Sequence, residues 1–97
     1  GNILLKAKPI GGFRMIDHGE ADDKIIAVLV DDEIYGKFNS IFEVESSVIQ
    51  RLKHYFLTYK NLPDAPPLCI IDAEYDQEEA RQIIQASRSD YANNFNE

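Results

Sequence analysis

The longest apolar run in the chain, IIAVLV at residues 25–30, follows directly on an acidic stretch, and this junction limits the possible folds. Six aliphatic residues bounded by charges are typical of a strand that is buried on both faces. The run is far shorter than the roughly 20 residues that a membrane-spanning helix needs. No signal-like segment stands at the N-terminus. We therefore expect a cytoplasmic protein with no membrane partner and with a buried strand near 23–30.

Further periodic segments lie on both sides of this strand. Apolar runs predict strands near 2–8 and 10–16, with a bulge or a close backbone approach at Gly11 and Gly12. Another run predicts a strand near 68–74. Apolar residues recur at steps of three and four over about 46–60 and about 76–93, which predicts two helices, the first capped by Ser46. The stripe predicted for the first helix is Val48, Ile49, Leu52, Tyr55, Phe56 and Tyr59. The order of elements indicates the α+β class.

Length and charge exclude several classes of protein. At 97 residues the chain builds one domain at most, and an apolar share of 44% is enough for a packed core. The net charge of −7 argues against nucleic acid as a partner, because a phosphate backbone attracts clustered lysine and arginine. The single cysteine, Cys69, lies in the apolar segment LCII and forms no intramolecular disulfide. We expect it to be buried.

The stretch RMIDHGEADDK, residues 14–24, carries the carboxylates Asp17, Glu20, Asp22 and Asp23. One interpretation is a solvated acidic loop, since Asp and Gly also form turns. The other is a site for a hard cation, because carboxylate oxygens suit Mg²⁺, Mn²⁺ or Ca²⁺. If residues 22–24 belong to the following strand, the side chains of Asp22 and Lys24 project to one face and that of Asp23 to the other. Asp17 then folds back across a turn at Gly19. Such a surface suits a metal-bound phosphate.

A second candidate is the pair Tyr59 and Lys60 at the predicted end of the first helix. One interpretation is that Tyr59 is the last residue of the apolar stripe and that Lys60 lies favourably at the negative end of the helix dipole. Alternatively, the phenol and the ammonium bind a phosphate oxygen together. The residues alone leave both interpretations open.

Two segments, KPIGGFRMIDHGEADDKIIAV and LKHYFLTYKNL, resemble the C-terminal half of the soluble family I inorganic pyrophosphatases. The resemblance implies that residues 1–97 are a single partial domain, which contributes strands and both helices to an OB-type β-barrel. It implies that Asp17 and Asp22 are metal ligands and that Lys24, Tyr59 and Lys60 bind substrate. Glu20, Asp23 and His18 match no ligand position, and we interpret Glu20 and Asp23 as turn and surface residues. No catalytic residue is assigned to this half.

The same resemblance implies the reaction. Several Mg²⁺ ions, with Mn²⁺ as a substitute, would bind inorganic diphosphate and activate a water molecule that attacks phosphorus in line, giving two phosphates. Family members are homo-oligomers, and the other half of the family's site has no counterpart in these residues. The alternative hypothesis is a non-catalytic split or truncated module that assembles with a partner chain. An OB-type oligonucleotide binder is disfavoured, because that function needs basic and aromatic residues in a groove.

Overall fold

The computed structural model describes residues 6–61, 63, 64 and 69–95, without the side chains of residue 60 and of residues 91–95. Three strands and two helices form within these residues, as the α+β class predicts. The strands are β1 (Ala7–Asp17), β2 (Glu20–Leu29) and β3 (Cys69–Asp76), the helices are α1 (Ser46–Lys60) and α2 (Gln77–Phe95), and a 3-10 turn spans Ile41–Glu43.

The three strands form one antiparallel sheet in the order β2, β1, β3. The prediction of two separate strands near 2–8 and 10–16 is wrong within the described residues, because β1 runs without a break from Ala7 to Asp17. The predicted irregularity is present as a shift of register between Pro9 and Gly11. A bulge bends a strand without ending it, so the chain keeps its pairing on both sides. Residues 1–5 of the first predicted strand lie outside the described part.

β2 differs most from the prediction for residues 23–30. It begins three residues earlier, at Glu20, and it lies at the edge of the described sheet. Each of its residues is exposed or half-buried, and the side chain of Leu29 is 43% exposed. The run is apolar because each face of β2 lies beneath a different helix: Ile26 packs on the core beside α1, and Ile25 lines a cleft with Ile83 of α2. The prediction of a strand buried on both faces is therefore wrong.

The main core lies between α1 and the face of the sheet that bears Phe13, which we call the α1 face. Phe13 is fully buried and meets Phe56 edge to face, with ring centroids 6.3 Å apart. Cys69 is buried in the same cluster, as predicted. The predicted stripe of α1 is confirmed only in part, since Tyr55 and Tyr59 are exposed. The core members of α1 are Val48, Ile49, Leu52, Phe56 and Leu57.

The two helices begin differently. Ser46 is the first residue of α1, and the preceding Glu45 makes no side-chain capping bond, so the prediction of a Ser46 cap is wrong. At α2 the backbone N–H of Gln77 donates to Asp76 Oδ1 at 2.7 Å. The α2 helix packs on the opposite side of the sheet, which we call the α2 face, where Glu79 bonds to Arg14 of β1. Neither of the helices in the described residues has the length and apolar character to cross a bilayer.

Candidate functional site

The acidic segment forms the turn and flanks of a β-hairpin. β1 and β2 are joined by the two residues His18 and Gly19, whose φ angles are +53° and +81°. Two successive left-handed residues match the right-handed twist of the flanking strands, which is why such turns dominate short hairpins. Asp17 therefore ends β1 directly opposite Glu20, the first residue of β2. Most of the segment is strand, so the loop interpretation fails for residues 20–24.

The register places three of the predicted site residues on the same face. Asp22 lies opposite Met15, and Lys24 lies opposite Phe13. Directly paired residues of antiparallel strands share a face, and residues two apart along a strand do as well. Asp17, Asp22 and Lys24 accordingly follow Phe13 on the α1 face, while Asp23 projects to the α2 face. The alternation predicted from the sequence is confirmed.

Each of the two predicted metal-binding carboxylates has a basic neighbour. Lys24 Nζ lies 3.0 Å from Asp22 Oδ2, and His18 Nδ1 lies 2.7 Å from Asp17 Oδ1. The side chains of Asp17, Asp22 and Lys24 are all half-buried, with 21% to 33% exposed. An ammonium has three donors, so the bond to Asp22 leaves Lys24 able to donate to an anionic ligand as well.

The end of α1 lies at the same end of the sheet as Asp17. Asn61, which follows α1, donates from Nδ2 to the carbonyl of Cys69 at 2.9 Å, and the Cys69 N–H donates to Asn61 Oδ1 at 3.0 Å. Cys69 is the residue of β3 that pairs with Asp17. The paired bonds hold the last turn of α1, with Tyr59 and Lys60, beside the hairpin end of the sheet.

Tyr59 is available for binding at this end. Its side chain is 75% exposed, and its ring stacks on that of Tyr55 with centroids 6.3 Å apart and an angle of 17° between the planes. The interpretation of Tyr59 as the last residue of a buried stripe is therefore wrong. Lys60 is the last residue of α1, and its side chain lies outside the described part.

On the α2 face, Asp23 belongs to a polar cluster that we call the Asp23 network: Arg14, Asp23, Tyr75 and Glu79. Asp23 Oδ1 accepts from Arg14 Nε at 3.3 Å and from the Tyr75 hydroxyl at 3.1 Å. The interpretation of Asp23 as a surface residue is therefore wrong. Burial and the neighbouring Asp23 carboxylate raise the pKa of Tyr75 well above its usual value.

Arg14 and Tyr75 were not identified from the sequence. The only signal for Arg14 was a charged residue inside the apolar segment GGFRMI. Arg14 donates from Nη2 to Glu79 Oε1 at 3.1 Å, and its guanidinium lies 5.4 Å from the centroid of the Tyr75 ring. The bond to Glu79 and the charge of Asp23 raise the pKa of Arg14.

The carboxylates of Asp17 and Asp22 suit a hard cation, but the described residues add no third ligand to them. Asp17 and Asp22 offer carboxylate oxygens, which are the ligands that Mg²⁺ and Mn²⁺ prefer. In the part of the chain that the structure describes, no group of three or more His, Cys, Asp or Glu side chains is placed to hold a metal ion.

The chain is similar to known proteins over nearly its whole length. The family model for inorganic pyrophosphatase matches residues 1–92. An inorganic pyrophosphatase from Chlamydia muridarum is 48% identical over 100 residues, which cover 98% of this chain and 48% of the relative. A soluble inorganic pyrophosphatase from Zea mays is 41% identical, with coverage of 92% of this chain and 41% of the relative.

The fold is similar as well. The crystal structure of an inorganic pyrophosphatase from Neisseria gonorrhoeae matches with a TM-score of 0.73 at 30% identity. That match covers 89% of this chain and 50% of the crystallised chain, so this chain spans about half the length of the relatives it matches. Because the family model, the sequences and the fold agree, the chain belongs to the inorganic pyrophosphatase family.

Proposed function

We propose that the chain supplies part of the metal and substrate site of an enzyme that hydrolyses inorganic diphosphate to two phosphates. The observation that supports this most directly is the placement of Asp17, Asp22 and Lys24 on one face of a hairpin. Tyr59 lies exposed at the helix end beside the same end of the sheet. Family membership supports the reaction, since the relatives are named inorganic pyrophosphatases.

Each residue has a role that its chemistry suits. The carboxylates of Asp17 and Asp22 bind the cation side of a metal diphosphate. Lys24 donates to a phosphate oxygen while its bond to Asp22 fixes its direction. The Tyr59 phenol donates to a second oxygen, and Lys60 adds positive charge beside it. Asp17 and Asp22 would hold Mg²⁺, or Mn²⁺ in its place, and the bound ion would supply activation of water and neutralisation of phosphate charge.

The site is a partial one in this proposal. Asp17 and Asp22 need further ligands, and the described residues provide no third acidic or histidine side chain in position. We propose that residues 1–97 form a single partial domain and that the remaining ligands come from the half of the family fold that the chain does not match. The expected homo-oligomer and the cytoplasmic location stay predictions.

The second candidate function is a non-catalytic module that assembles with a partner chain. β2 lies at the edge of the described sheet, which favours this function, because a strand edge is a template for pairing with another chain. The two functions differ in what they require of the hairpin: assembly uses the backbone of β2, whereas hydrolysis uses the side chains of Asp17, Asp22 and Lys24.

A chimera tests the catalytic role. In it the 97 residues replace the matching segment of the Chlamydia muridarum relative, and phosphate release from diphosphate is measured with Mg²⁺. Asp22→Asn should lower the rate by about 100-fold or more, because the neutral amide keeps one oxygen but loses the negative charge that a metal-binding carboxylate carries. Asp31→Asn is the matched control, since Asp31 is exposed beyond the end of β2 and should leave the rate unchanged. Equal rates for the two variants would contradict the role of Asp22.

Metal binding is tested on the chain itself. Mn²⁺ added to the isotopically labelled chain should broaden the NMR amide signals of residues 17–24 before those of acidic residues elsewhere, such as Asp31. Uniform broadening across the acidic surface, or broadening centred on Asp31, would favour the non-catalytic module.

A further inference from the structure

The Asp23 network joins four elements, three of which meet at one oxygen of the Asp23 carboxylate. Arg14 comes from β1, Asp23 from β2, Tyr75 from β3 and Glu79 from α2. Both Arg14 Nε and the Tyr75 hydroxyl donate to Oδ1 of Asp23, at 3.3 Å and 3.1 Å. Arg14 lies directly opposite Asp23 in the ladder, so its side chain crosses only the gap between neighbouring strands. The planar guanidinium can donate to Asp23 and to Glu79 at the same time.

Tyr75 reaches Asp23 across the central strand, which requires space above β1. The Tyr75 side chain is only 4% exposed, and its ring lies over Gly12. A Cβ at residue 12 would come within 2.7 Å of the Tyr75 hydroxyl and of the backbone carbonyl of Lys24. The glycine therefore lets a residue of β3 bond to β2 although β1 lies between them.

This network holds the one residue that separates two proposed site residues. Asp23 lies between Asp22 and Lys24, and its side chain points to the opposite face. β2 has backbone pairing only with β1 among the described strands, so its outer side gains no restraint from a second strand there. Fixing the Asp23 carboxylate from two directions fixes the backbone from which Asp22 and Lys24 project.

We infer that Arg14 and Tyr75 are positioning residues, which act through Asp23 to set the orientation of Asp22 and Lys24 on the other face of the strand. The inference rests on the proposed function, because that function gives Asp22 and Lys24 their roles. The orientation of these two side chains can nevertheless be measured without metal or substrate. A ligand pair held in position before binding loses less freedom when it binds, which favours affinity.

The competing account is that the network only stabilises the fold. A double variant separates the two, Arg14→Met with Asp23→Leu. It removes one positive and one negative charge, so the net charge beside the site is unchanged. Glu79 loses its partner, but its side chain is 45% exposed and stays in contact with solvent, while the Tyr75 hydroxyl loses its acceptor. A purely structural network would leave Asp22 oriented as before in the folded double variant. If Arg14 and Tyr75 are positioning residues, the Asp22 side chain should change its orientation in the same variant.

The experiment measures the full chain by NMR without metal. In the double variant, amide hydrogen exchange in β2 should become about tenfold faster or more, since charge-assisted bonds that hold the strand are lost. The couplings that report χ1 of Asp22 and Lys24 should change from single-rotamer to averaged values. Lys8→Met is the matched control: it removes an exposed bond from β1 to Asn39, away from Asp23, and should alter neither measurement.

Retained single-rotamer couplings of Asp22 and Lys24 in the folded double variant, with or without faster exchange, would overturn the inference. If that variant does not fold, Tyr75→Phe decides, because it removes one hydroxyl and keeps the ring. It should still change the χ1 couplings of Asp22 and Lys24 toward averaged values, whereas unchanged couplings overturn the inference. If Mn²⁺ does not broaden the amide signals of Asp17 and Asp22 in the wild-type chain, the proposed function is overturned. The result that Arg14 and Tyr75 orient Asp22 and Lys24 would not be affected.

Discussion

Gly12 lies in the middle of β1, where a side chain would collide with the phenol of Tyr75 and with the carbonyl of Lys24. Gly12→Ala forces one of these groups to move, and both belong to the region that holds β2. We expect the substitution to lower the free energy of unfolding by about 1–3 kcal/mol, the usual cost of overpacking. Urea unfolding of the chain measures it. A variant as stable as the wild type would show that Tyr75 does not need this space.

Tyr75 also links stability to pH at the scale of a single residue. Its pKa in the folded chain is raised above the ordinary value of 10.0 by burial and by Asp23. The folded state therefore binds the phenolic proton more tightly than the unfolded state does. The stabilisation is complete below pH 10 and is lost as the pH rises above it. We expect the free energy of unfolding to fall with pH in that range, and to fall less steeply in Tyr75→Phe, which has no proton to lose.

The β1–β2 hairpin is the element that brings the site together, and its turn depends on left-handed backbone. Gly19 has a φ of +81°, and no atom lies within 4 Å of a Cβ built there. Gly19→Ala therefore adds backbone strain without a collision, and should cost about 1–2 kcal/mol in thermal or urea unfolding. D-alanine at the same position adds the same methyl group but favours positive φ, so it should retain the wild-type stability. Equal losses with both isomers would refute the strain argument.

The α1 helix is joined to the sheet at two places that set its direction. Lys53 forms an ion pair with Glu74 in the second half of β3, and Asn61 bonds to Cys69 at the start of β3. The helix therefore runs antiparallel to β3 and ends beside Asp17, the partner of Cys69. The sequence placed Tyr59 and Lys60 at a helix end, but it did not show which end of the sheet they would reach.

For the whole molecule, we expect the 97-residue chain alone to hydrolyse diphosphate little or not at all. It spans about half the length of the relatives it matches, and its described residues include no group of three or more His, Cys, Asp or Glu side chains placed to hold a metal ion. A Mg²⁺-dependent assay of phosphate release measures this activity, with the Chlamydia muridarum enzyme as the positive control. Turnover by the chain at a rate similar to that of the control would refute this expectation.

Much of the local structure followed from the sequence, because it depends on residues close together along the chain. The apolar period predicted both helices to within two residues, and the glycine pair predicted the irregularity in β1. Strict alternation along a strand put Asp22 and Lys24 on one face and Asp23 on the other. The motif around Asp17, Asp22 and Lys24 was sufficient to suggest the family that the comparisons then showed.

Only the tertiary structure decided which strand would be central. The run at residues 25–30 is more continuously apolar than β1, yet β1 is paired on both sides and β2 lies at the edge of the described sheet. The apolar residues of β2 reflect its contacts with the two helices. The order of the strands depends instead on which backbones form hydrogen bonds with each other. The Asp23 network has the same origin: Arg14 and Tyr75 are 61 positions apart in sequence, and they meet because β1 pairs with both β2 and β3.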